Sequence, residues 1–92
     1  MKIKVEYTSQ IKQVVGVAEE TFELEIPCTA AELTQRVVEK HGEPLRRILL
    51  DEQNRPSPTI LVFVDGDLIR GQTPRELRDR DVVTYMTPIS GG

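Results

Sequence analysis

The chain opens on a two-residue alternation. In KIKVEY, Ile3, Val5 and Tyr7 fall on one side and Lys2, Lys4 and Glu6 on the other, the pattern of a strand with one face on a core and one in water. ETFELEI repeats it, with Phe22, Leu24 and Ile26 predicted inward and Glu23 and Glu25 outward. Between them, Ile11, Val14 and Val15 recur at helical spacing ahead of Gly16, which predicts a short helical turn stopped by glycine. The two strands then form an antiparallel hairpin with a long connection.

The period changes at CTAAELTQRVVEKHG. Thr29 and Glu32 are spaced as a capping box, so the main helix should start near Ala30. Ala30, Leu33, Val37 and His41 share one face, Val38 lies beside it, and Gly42 is the natural stop. Leu45, Ile48 and Leu49 after Pro44 predict a second short helical segment. DEQNRPSP is polar with two prolines and reads as the most mobile internal loop.

TILVFV is a nearly continuous β-branched run, expected of an interior strand. Asp65-Gly66 is a tight hairpin signal and places a short edge strand around Leu68 and Ile69. Pro74 is placed to open a turn of helix that drops Leu77 into the core, and VVTYM is the last strand. Strand, strand, helix and three strands, with the first and last parallel at the centre of a mixed sheet, give an α+β layer with one main helix on one face. At this size the order matches the β-grasp, the fold of ubiquitin. Residues 1–87 are expected to be a single β-grasp domain and 88–92 a flexible tail.

Composition narrows the partners. With 12 basic and 15 acidic residues the 92-residue chain is mildly acidic, which argues against nucleic acid, whose phosphates call for a concentrated basic face. Arg46-Arg47 reads as a solvated helix face. One cysteine excludes an intrachain disulfide. The absence of a charged-then-apolar leader, and a longest apolar run of only Ile60 to Val64, give the expectation of a soluble, cytoplasmic chain with no membrane partner.

The chain ends PISGG, two glycines with no turn to make. YTSQIKQVVG near the start, and TILVFVDGDLI with TPRELRDRDVVTYMTPISGG in the second half, resemble the MoaD/ThiS family of ubiquitin-like sulfur carriers, closest to the small subunit of molybdopterin synthase. The resemblance covers nearly the whole chain, and the terminal Gly-Gly is its most specific element. It implies that the protein is a substrate rather than an enzyme, with no catalytic residue and no permanently bound cofactor or metal of its own. The C-terminal carboxylate of Gly92 would be adenylated by a ubiquitin-activating-type (MoeB/ThiF-like) enzyme, which uses the ATP. Sulfur would then displace AMP to give a thiocarboxylate for a sulfur-accepting synthase subunit in cofactor biosynthesis of the molybdopterin type. Two departures stand out. The family's acidic-Gly-acidic turn is here Asp79-Arg80-Asp81, where a left-handed Arg80 would cost about 1 kcal/mol relative to glycine. Its Pro-Pro pair is here Thr87-Pro88.

The residue chemistry supports the same ending. A carboxylate is a poor electrophile until it becomes a mixed anhydride, and attack on that carbon needs clear approach. Gly92 presents no Cβ beside the reacting carbonyl, Gly91 and Ser90 let the backbone thread a narrow channel, and Pro88 stiffens the root. Strand parity puts Val62, Val64, Val83 and Tyr85 inward and Leu61, Phe63, Thr84 and Met86 outward. Phe63, Met86, Pro88 and Ile89 then form an exposed apolar docking patch beside the tail. A second reading is a ubiquitin-like modifier joined through Gly92 to lysines of target proteins; a third is an interaction domain with incidental glycines. Cys28 reads as a small packing residue rather than a sulfur relay, since no second cysteine accompanies it. His41, the only histidine, reads as a cap on the helix C-terminus. Asp65 and Asp67 are explained by their turn.

Overall fold

A computed structural model describes residues 1–69 and 74–87. The elements run β1 (Lys2–Tyr7), α1 (Ser9–Val15), β2 (Glu19–Glu23), α2 (Ala30–His41), α3 (Glu43–Leu49), β3 (Leu61–Val64), β4 (Asp67–Ile69) and β5 (Val82–Met86). The strands form one sheet in the order β2-β1-β5-β3-β4. β1 pairs antiparallel with β2 and parallel with β5, from Lys4↔Val82 to Tyr7↔Tyr85. β5 in turn pairs antiparallel with β3. The first and last strands are therefore central and parallel, as expected from the order of elements.

The inner face of the sheet supplies Ile3, Val5, Tyr7, Val64, Val83 and Tyr85 to a single core cluster, and the helices add Ile11, Leu33, Val37, Leu45 and Leu49. α2 starts where its cap dictates: the Thr29 hydroxyl accepts from Glu32 N at 3.2 Å and Glu32 Oε1 accepts from Thr29 N at 3.1 Å. Glu32 in its first turn and Lys40 and His41 in its last complement the helix dipole. A buried polar pair bridges helix and sheet, with Tyr85 Oη 2.7 Å from Thr34 Oγ1, which lies 3.0 Å from the Ala30 carbonyl. With its hydroxyl committed to Ala30, Thr34 accepts from the phenol, so every oxygen of the cluster is satisfied. Burial pushes the Tyr85 phenol well above its ordinary value.

Two turns fix register. Asp65 and Gly66 both have positive φ (49° and 86°) and leave Val64 opposite Asp67, the geometry of a two-residue hairpin loop. Asp65 Oδ1 accepts from Val82 N at 2.8 Å, tying the hairpin to β5. The turn before β5 does place Arg80 at φ 71°. It is fastened to β1 from both sides: Arg80 N donates to the Lys2 carbonyl at 2.7 Å, and Lys2 N donates to Asp79 Oδ1 at 2.7 Å.

Three expectations change. Ile26 is 74% exposed rather than inward; β2 ends at Glu23 and only Leu24 stays tied, by bonds to Met1. Strand parity stops applying where the chain leaves the sheet, and Pro27 has no N–H with which to rejoin a ladder. Pro74 opens no helical turn. The segment is extended and bridges the entrance to α2, Ala30 N donating to the Arg75 carbonyl and Leu77 N to that of Cys28, both within 2.9 Å. Leu77 is buried all the same. The 51–58 stretch is a loop, as expected, with Asp51 Oδ1 accepting from Gln53 N and Arg55 N and Asn54 binding the Arg46 and Gln35 side chains. His41 does not use its side chain as a helix cap; it reaches the Glu20 carboxylate on β2.

Candidate functional site

The geometry that matters is at the end of β5. This strand lies mid-sheet, between β1 and β3, and its last pairs are Tyr7↔Tyr85 and Leu61↔Met86. The chain leaving Met86 and Thr87 thus starts from a strand paired on both sides as far as Tyr85 and to β3 through Met86. Pro88, Ile89, Ser90, Gly91 and Gly92, the tail residues singled out in the sequence, lie outside the described residues.

The outer sheet face divides into two halves. On β1 and β2 it is charged, with Lys2, Lys4 and Glu6 facing Glu23, Thr21 and Glu19 in register and Lys4 Nζ 3.0 Å from Glu19 Oε2. On β3, β4 and β5 it is apolar. Register puts Phe63 between Thr84 and Leu68, and Leu61 beside Met86. Parity adds Val82, whose neighbour Val83 is buried. Phe63 and Met86 do stand on this face, but they are half-buried rather than exposed. Cross-strand neighbours shield one another there, as directly opposed residues do. Leu68 and Val82 are the members that sequence reasoning missed. The signal was present in Asp65-Gly66, because a two-residue loop that pairs Val64 with Asp67 also sets Leu68 opposite Phe63.

The remaining candidates are structural. Cys28 is buried, and burial pushes its thiol up, Glu32 adding to the effect; a raised thiol is a poor nucleophile. Glu20 joins three elements: Tyr7 Oη donates to its Oε2 at 2.5 Å, Lys40 Nζ to Oε1 at 2.5 Å, and His41 meets Oε2. Burial pushes this carboxyl up, but the hydrogen bonds from Lys40, Tyr7 and His41 outweigh it and hold Glu20 below its ordinary value. The Tyr7 phenol is raised, by burial first and then by Glu20. Arg46 and Arg47 both approach Glu43, within 3.6 Å, so that pair is a solvated ion-pair surface. Among the described residues no group of three or more His, Cys, Asp or Glu side chains is placed to hold a metal ion, and no helix is long and apolar enough to cross a membrane.

A mixed five-stranded sheet with a parallel central pair, crossed by one main helix, defines a ubiquitin-like β-grasp protein. SAMP1 of Haloferax volcanii shares that fold with a TM-score of 0.88 over 100% of both chains at 16% identity. A chain of the BexX/CysO complex of Amycolatopsis orientalis shares it with a TM-score of 0.72, over 98% of this chain and 99% of that one at 22% identity. Residues 5–92 match the ThiS family model, and the chain belongs to that family. It is also 30% identical, over 100% of both sequences, to the molybdopterin synthase sulfur carrier subunit of Chlamydomonas reinhardtii.

Proposed function

We propose that this protein is a sulfur carrier of the molybdopterin-synthase type, whose reactive group is the carboxylate of Gly92. The observation that carries the reading is the family match, which runs to residue 92 and so takes in both terminal glycines. The carboxylate oxygen attacks the α-phosphorus of ATP in the active site of a ubiquitin-activating-type partner, and pyrophosphate leaves. A sulfur nucleophile then adds to the acyl carbon and AMP departs, giving a thiocarboxylate for a sulfur-accepting synthase subunit. The carrier contributes presentation: a tail rooted on a central strand, Gly91 and Gly92 without side chains at the reacting end, and Ser90 as a small threading residue. Leu61, Phe63 and Met86 offer the partner an apolar face beside that root, and Pro88 and Ile89 are the sequence's further candidates for docking contacts.

The alternative, a modifier joined to lysines, uses the same activated carboxylate. The full-length relative at 30% identity bears a sulfur-carrier name, whereas the likeness to SAMP1 is one of fold at 16% identity, so the carrier reading is preferred. The test is ATP–pyrophosphate exchange by a purified MoeB/ThiF-type enzyme. Exchange should depend on this chain, vanish on deletion of Gly92, and weaken through a higher KM in Phe63→Ser, which leaves the inner core untouched. Exchange that survives loss of Gly92 would refute the assignment.

A further inference from the structure

Thr8 occupies the N-cap of α1 in extended conformation (φ −125°, ψ 158°), yet its hydroxyl makes no bond to the helix it opens. A threonine there ordinarily turns its oxygen onto an amide of the first turn. Here the Thr8 carbonyl accepts from Ile11 N and Lys12 N at 3.0 and 3.2 Å. The hydroxyl crosses instead to β5 and donates to the Tyr85 carbonyl at 3.1 Å. That carbonyl lies at the last parallel pair, Tyr7↔Tyr85, with one strand residue, Met86, still to come. The hydrogen bond falls at the point where the β1 ladder gives out and β5 becomes the root of the tail.

We infer that Thr8 is a positioning residue for the C-terminal tail. By capping the Tyr85 carbonyl it fixes the Tyr85–Met86 peptide plane, and with it the place and direction in which the chain leaves the sheet. This rests on the proposed activation at Gly92: a tail that starts from a fixed root has less freedom to lose when it threads into a partner. The bond costs α1 its own side-chain cap, and α1 is anchored instead through Ile11, which is fully buried.

The test uses the full chain with Thr8→Val, which keeps shape and removes the donor, and Thr8→Ser, which restores it. Amide hydrogen exchange at Met86 should quicken about five-fold in Thr8→Val, the worth of one neutral hydrogen bond, while Val5 and Val83 are unchanged. In ATP–pyrophosphate exchange with a MoeB/ThiF-type enzyme, the KM for Thr8→Val should rise by about the same factor with kcat unaltered. Thr8→Ser should restore both readouts. Unchanged exchange at Met86, or faster exchange with an unchanged KM, would overturn the inference; the second result would leave Thr8 a purely structural residue. If the unaltered chain supports no ATP–pyrophosphate exchange, the carrier reading and the threading role fall together, while the Met86 rates still decide whether Thr8 pins the strand.

Discussion

Replacing Arg80 with glycine should stabilise the protein. Arg80 is exposed and sits at φ 71° between two aspartates, in the turn whose backbone is bonded to Lys2. An L-residue in the left-handed region is disfavoured by about 1 to 2 kcal/mol through its Cβ. Glycine removes that term but returns about 0.4 to 1 kcal/mol to the unfolded chain as entropy. The difference, about 0.5 to 1 kcal/mol, raises the melting temperature of a domain this size by about 2 to 8 °C. Gly16 provides the converse case: its φ is 92° and a Cβ there would meet nothing within 4 Å. Gly16→Ala should therefore cost about 1 kcal/mol through the backbone alone. Thermal and urea unfolding of Arg80→Gly, Arg80→Ala and Gly16→Ala measure all three. An Arg80→Gly protein no more stable than the parent, or a gain equally present in Arg80→Ala, would refute the backbone explanation.

The Tyr85–Thr34 pair and the half-buried Glu20 give two further outcomes. Tyr85→Phe and Thr34→Val should each cost about 1 to 3 kcal/mol in urea unfolding, and the double variant less than their sum, because the two oxygens serve one another; strict additivity would contradict the pairing. Glu20 is held below its ordinary value of 4.5, so its contribution is complete above that pH and fades as pH falls through the folded value. Glu20→Gln should be clearly less stable than the parent at neutral pH, with the gap closing on acidification. A pH-independent gap would contradict the sign.

What the sequence made legible was whatever depends on neighbours along the chain. Period two set the inward faces of β1 and β5, Thr29 and Glu32 fixed the start of α2, and Asp65-Gly66 fixed the hairpin. For Arg80 the resemblance to a family with an acidic-Gly-acidic turn left two possibilities, a left-handed arginine or a different turn, and the structure takes the first. What escaped was decided by distant partners. Ile26 continues the alternation of β2 in sequence, but the ladder has already ended. The stretch after Pro74 looks like a helix start until Cys28 and Ala30 offer it backbone partners. Glu20 and His41 are 21 residues apart, and only the docking of α2 on β2 brings them together. At the candidate site, parity identified Phe63 and Met86. Their shielding by Thr84, Leu68 and Leu61, the addition of Leu68 and Val82, and the crossing of the Thr8 hydroxyl to β5 all required the register.

The sulfur proposed for Gly92 is read most directly from the intact mass of the chain purified from its native host. A population in which one C-terminal oxygen has been exchanged for sulfur is expected, absent when Gly92 is deleted. A chain found solely as the ordinary carboxylate while the host is making the sulfur-containing cofactor would contradict it. So would recovery of the segment from Asp81 to Gly92, the peptide that trypsin leaves after Arg80, joined to lysines of other proteins in place of any thiocarboxylate.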